Sequence, residues 1–230
     1  MNYYSIISVH TVIGFSALIS FWVAALSKKG RAIHRHAGRV YLMSMVVILS
    51  SIIPMIIVKA KEGKIPFCIL LGYLFCIVLT ASIVTWHSIR NKKAPVNYYN
   101  SFLKFIAATL FVYALAILLL GIMTGSFMQI VFSSVGLALG GSVWWSYWKK
   151  ERPKNWFLAQ HMNGVAVNFA ATHGSFFRFG LAGLLALPDS RELNVFAQTS
   201  MIVLAFVLRL WLGKRYLKKK KVFAPAVRVT

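Results

Sequence analysis

The chain has 230 residues, of which 59% are hydrophobic and only 13% charged; 26 Lys and Arg face 4 Asp and Glu, for a formal net charge of +22. A soluble domain of this size carries about a quarter charged residues to keep its surface wet, so the composition excludes an ordinary water-soluble fold. The positive charge sits in short segments between apolar runs, which suits anionic lipid headgroups and leaves no soluble basic face for a nucleic acid.

Taken in order, the apolar runs that cover a ~30 Å hydrocarbon core are 5–27, 40–58, 66–88, 102–123, 127–148, 156–178 and 194–213. A bilayer offers backbone groups no partner outside the segment, so runs of this length close their hydrogen bonds as helices. The expectation is an all-α, polytopic bundle of about seven spans. It forms one transmembrane domain over 1–213, with a basic cytoplasmic tail over 214–230. The opening Met-Asn-Tyr-Tyr-Ser lacks the basic region of a signal peptide. The first run then meets Lys28, Lys29 and Arg31, which reads as a retained first helix.

The loops alternate in charge. Segments 28–39, 89–101, 149–155 and the tail hold 19 basic residues; segments 59–65, 124–126 and 178–193 hold 5. This asymmetry predicts the N-terminus outside and the C-terminus inside, in the cytoplasmic (inner) membrane. The connection 179–193, ending in Pro188-Asp189, reads as a loop or a re-entrant stretch.

Within the spans, Pro54 frees the carbonyl of Ser50 and predicts a kink. Gly136 and Gly140 form a small-residue pair in the fifth span, for packing inside the bundle or for a homodimer. Cys68 and Cys76 lie about 12 Å apart along one helix, too far for a disulfide between them.

Glu62, Glu151, Asp189 and Glu192 are the only carboxylates, and all fall outside the spans. No span therefore holds an acid to relay protons or bind cations. Histidine is what remains inside the spans that titrates near neutral pH. His10 lies in the outer part of the first span and His87 at the inner end of the third. His161 is near the inner end of the sixth span and His173 near its outer end. Depth sorts them into an outer pair, His10 with His173, and an inner pair, His161 with His87.

One histidine from each of two helices at equal depth is what an axially ligated haem b requires, and two such levels make an electron path across the membrane. Against this, His161 and His173 differ by about 120° around their helix. The stripe through His161 continues as Gly164, Asn168 and Thr172, a small polar face expected to point into the bundle, with Gly164 leaving space for a bound group.

Residues 34–41 read His34-Arg35-His36-Ala37-Gly38-Arg39-Val40-Tyr41, after a first span with His10 and Gly14, and a later span opens with His161-Met162. This resembles the His-Arg-x-x-Gly-Arg-x-Tyr signature of predicted bacterial membrane proteins known as domain of unknown function 2306. The resemblance covers the first two spans well and the sixth loosely. It implies a membrane bundle and points to His10, His34, Arg35, Gly38, Arg39, Tyr41 and His161, and it brings no activity with it. At the membrane surface, Arg35, Gly38, Arg39 and Tyr41 are expected to form a turn. Gly38 would take a positive φ, and the arginines would pair with phosphates, carbonyls or Glu151.

Three readings follow: a haem b or other redox-cofactor protein, with a quinone- or metal-linked oxidoreductase as its enzyme form; a carrier for a small solute or lipid; and a membrane scaffold. The charge asymmetry makes the first prediction. A C-terminal reporter that is active only after export should stay silent, and activity from it would overturn the orientation.

Overall fold

The structure is a computed structural model, and it describes residues 3–149, 151–181, 185, 190–217 and 223–224. Among these the chain is helical: α1 (Tyr3–Leu26), α2 (Ala32–Lys61), α3 (Ile65–Arg90), the short α4 (Pro95–Tyr98), α5 (Ser101–Thr124), α6 (Phe127–Trp148), α7 (Trp156–Ser175) and α8 (Arg191–Tyr216). A π-helical turn, Phe176–Leu181, continues α7. Two short strands, β1 (Arg152–Pro153) and β2 (Phe223–Ala224), pair antiparallel.

Six helices are long and apolar enough to cross a membrane: α1, α2, α3, α5, α6 and α8. They expose large apolar side chains, among them Val12, Ile19, Met43, Val112, Leu119 and Phe206, a surface that suits lipid better than water. The sixth expected span, α7, has 20 residues. It is not among these six, because it carries Gln160, His161, Asn163, Asn168 and His173.

The start of α2 corrects the sequence reading. The helix begins at Ala32, so residues 34–41 are helical and form no surface turn. Gly38 has no positive φ; the left-handed glycines are Gly30 (φ 77°), Gly63 (73°) and Gly125 (63°). Gly30 reverses the chain between α1 and α2, and the basic residues after it start the helix outside any apolar run. Lys29 Nζ donates to the carbonyls of Ala24 and Ala25, and His34 Nδ1 lies 2.9 Å from Ala24 O, so both side chains cap the end of α1. Arg35 and Arg39 are exposed, and their side chains make no hydrogen bond or ion pair among the described residues; Glu151 is likewise exposed.

The chain divides into two compact units. In the first, residues 1–75 and 172–197, α1 lies along α2. Ile6, Ala17, Met45, Ile48, Leu49 and Ile52 are buried there, and Lys59 Nζ sits 4.5 Å from the ring centre of Tyr3. At the turn into α3, Lys59 and Lys64 pair with Glu62 at 2.9 and 3.1 Å.

In the second, residues 76–171 and 198–230, Asn100 Oδ1 accepts from Leu103 N–H at 2.9 Å and caps α5. Gly125 ends α5 in the left-handed conformation, and α6 folds back along it. A Cβ at Gly140 would lie 2.9 Å from Ala107 O, so α5 of the same chain occupies the Gly140 face.

α3 lies close against α7. A Cβ at Gly164 would strike Thr85 Oγ1, and it would stand 2.6 Å from Ala81 O and 2.9 Å from Thr85 N. Only glycine allows two backbones this near. A pair of substitutions checks the arrangement by thermal unfolding in one detergent. Gly164→Ala should cost about 1–3 kcal/mol through overpacking. Gly38→Ala, with nothing within 4 Å of its added Cβ, should be neutral or gain about 0.5–1 kcal/mol from helix propensity. Equal effects at the two sites would contradict the packing.

Candidate functional site

His10 stands on α1 against α2. Its Nδ1 lies 2.7 Å from Ser51 Oγ, and Ser51 Oγ donates to Ile48 O at 2.6 Å. A serine hydroxyl has one proton. With that proton given to Ile48 O, Ser51 accepts from His10 in the tautomer that carries the proton on Nδ1. The neutral imidazole then carries its lone pair on Nε2, which makes no hydrogen bond among the described residues. This is the anchoring that orients a ligating or proton-accepting histidine, with the ring held through one nitrogen and presented through the other.

His161 is anchored in the same sense. Its Nδ1 lies 3.0 Å from Thr85 O on α3, and a carbonyl only accepts, so Nδ1 carries the proton. Ser88 Oγ also donates to that carbonyl at 3.2 Å. Further along the seam Ser82 Oγ donates to Asn168 Oδ1 at 3.4 Å, and Asn168 is fully buried. The polar stripe of α7 is thus a packing seam. Gly164 admits the α3 backbone and leaves no space for a bound group.

His173 lies elsewhere. Its ring packs edge-on against Phe21 at 5.3 Å and Trp22 at 5.6 Å. Beside it Tyr41 and Thr172 share a hydrogen bond of 3.0 Å, and Phe21 packs on Tyr41 at 5.5 Å. Phe15 meets Phe176 in the π-helical turn. Such turns recur at functional positions, and this one follows His173 within three residues.

These placements correct the pairing of histidines. Phe21 and Trp22 are eleven and twelve residues along α1 from His10, about 17 Å at 1.5 Å per residue, so His10 and His173 are not at one depth. His161 does reach α3 at Thr85, two residues before His87. No hydrogen bond or ring contact joins His161 to His87, whose Nδ1 is buried without a hydrogen-bond partner among the described residues. The contact at Gly164, three residues from His161, closes α3 on α7 to a planar group. Among the described residues no three His, Cys, Asp or Glu side chains form a metal-binding group.

Sequence reasoning missed Ser51, Thr85, Phe21 and Trp22. Ser50-Ser51 in an otherwise apolar run was the available signal for the first of these. It also missed a polar network at one end of the second unit. Tyr98 Oη donates to Gln160 Oε1 at 3.3 Å, Gln160 Nε2 donates to Ser146 Oγ at 2.9 Å, and Tyr99 Oη meets the same Ser146 hydroxyl. The buried Arg152 donates to the carbonyls of Ser146 (3.2 Å) and Tyr147 (2.8 Å) and lies over the Tyr99 ring at 4.7 Å. A cation there complements the carbonyl end of α6.

The fold so described is of a class, all-helical apart from two short strands, with six helices among the described residues long and apolar enough to cross a membrane. Compared with family models, with curated proteins and with solved structures, the chain matches none.

Burial, with Tyr99 beside it, pushes the Tyr98 phenol well above its ordinary pKa. Burial also raises Tyr99, against the opposing Ser146 hydrogen bond and Arg152 charge. A folded-state pKa above the unfolded value of about 10 gives stability that is intact below pH ~10 and lost as pH rises beyond it. The melting temperature should therefore fall above pH ~10, and Tyr98→Phe should make that fall shallower; an unchanged slope would remove Tyr98 from the account.

Proposed function

We propose that this chain is a multi-pass inner-membrane protein in which α7 crosses as a seventh helix beside the six apolar ones, so that the N-terminus lies outside and the C-terminus inside, and which binds a redox cofactor of the haem b type through one anchored histidine, His10. The observation that carries the reading is the relay from His10 Nδ1–H through Ser51 to Ile48 O, which leaves the ring's Nε2 lone pair for a ligand. His10 of α1 would hold the ligand, with Ser51 of α2 orienting its ring. Such a group, when bound, would supply one-electron transfer to or from a quinone or small molecule. His161, His87 and His173 take packing and helix-joining roles in this reading. The resemblance of residues 34–41 to domain of unknown function 2306 is compatible with it, since His10 belongs to the same pattern.

The competing reading is a carrier for a small solute or lipid along the polar face of α7. It requires α3 and α7 to part at Gly164, where the two backbones are in contact.

A visible spectrum separates the two. After haem-supplemented expression the purified protein should be coloured, with a Soret band that shifts on reduction. His10→Ala should abolish the band, and Ser51→Ala, which removes the group orienting the ring, should weaken haem binding roughly 10–100-fold. His173→Ala should leave the band in place. A colourless protein that takes up no added haem would refute the redox reading.

A further inference from the structure

The last turns of α8 hold three cations without a counter-charge among the described residues. Arg209 lies inside the membrane-suited stretch Glu192–Tyr216. Its Nε donates to Asn163 Oδ1 at 2.6 Å and its Nη2 to Ala159 O at 3.4 Å, both on α7. Both acceptors are neutral, so the guanidinium is oriented but its charge is not balanced. Its Nη1 makes no hydrogen bond among the described residues. A Cβ at Gly213, one turn on, would come within 2.8 Å of that Nη1, so the glycine makes room for the group.

Lys214 and Arg215 follow, both exposed and both without a carboxylate partner among the described residues. Arg215 lies 5.7 Å from the ring of Trp211 and 5.6 Å from that of Tyr216. Trp and Tyr beside Arg and Lys at a helix end mark headgroup depth. A half-buried arginine there needs an anion, and a planar guanidinium matches the two free oxygens of a phosphodiester. On α2, by contrast, Arg35 and Arg39 are exposed, and no side-chain hydrogen bond orients them among the described residues.

We infer that the α7–α8 edge at Arg209, with Lys214 and Arg215, is a binding site for the phosphodiester headgroup of an anionic phospholipid. Asn163 sets the guanidinium's direction, Gly213 gives it space, and the two exposed cations draw the lipid in. This site is independent of the cofactor reading.

The test is native mass spectrometry of the delipidated full-length protein in detergent, with added phosphatidylglycerol or phosphatidylcholine. The unaltered protein should retain phosphatidylglycerol in preference. Arg209→Gln should weaken that retention roughly tenfold, the scale of one charged hydrogen-bonding partner, and Arg39→Gln should leave it unchanged. Asn163→Leu keeps the charge but frees its direction, and should also weaken retention; it decides the matter if R209Q does not fold. No preference in the unaltered protein, or full retention in both R209Q and N163L, would overturn the site. So would inorganic phosphate competing as well as the lipid, which would assign the cations to a free anion.

Discussion

The absence of a side chain at Gly164 is the constraint on which the second unit turns. It brings the α7 backbone onto Ala81 and Thr85 of α3, closer than any other residue permits. At that distance the polar groups of α7 find partners on α3: His161 donates to Thr85 O, and Asn168 accepts from Ser82. Burying such groups unpaired costs several kcal/mol in an apolar medium. The glycine thus lets a helix with three buried or half-buried amides, Gln160, Asn163 and Asn168, and with His161 lie among apolar neighbours. Arg209 of α8 completes the set by reaching Asn163 from the other side.

The same economy explains why the histidines do not face one another. Each anchored ring gives Nδ1–H to an oxygen of a neighbouring or preceding helix: Ser51 for His10, Ala24 O for His34, Thr85 O for His161. A ring tied to a different helix in each case is held at a different place. His173 is instead walled by Phe21 and Trp22. What distinguishes His10 is that its anchor is a serine hydroxyl on the neighbouring helix, where His34 and His161 are held by backbone carbonyls.

The basic residues divide by whether the fold engages them. Arg152 and Arg209 give their N–H groups to helix carbonyls or an amide and are fixed. Lys29 caps α1. Arg35, Arg39, Lys214 and Arg215 find no carboxylate among the described residues, because the chain has only four acids to offer 26 cations. A protein so composed must look outside itself for negative charge, and a bilayer with anionic headgroups provides it.

Sequence alone determined the helices, because a long apolar run in hydrocarbon has no other way to satisfy its backbone. It also marked the stretch that forms α7 as carrying a small polar face. It misjudged where α2 starts, since hydropathy marks the hydrocarbon boundary and a helix need not stop there; the left-handed Gly30, not Gly38, makes the turn. Depth pairing failed for a related reason. Counting residues fixes distance along one helix, but the register between two helices is set by their contacts, and these put His173 beside Phe21 and Trp22. Whether the polar face of α7 was a cavity or a seam was likewise open to either answer from spacing. The tertiary structure decided it, because a glycine serves equally to leave a gap or to let a neighbouring backbone close it, and only the position of α3 says which.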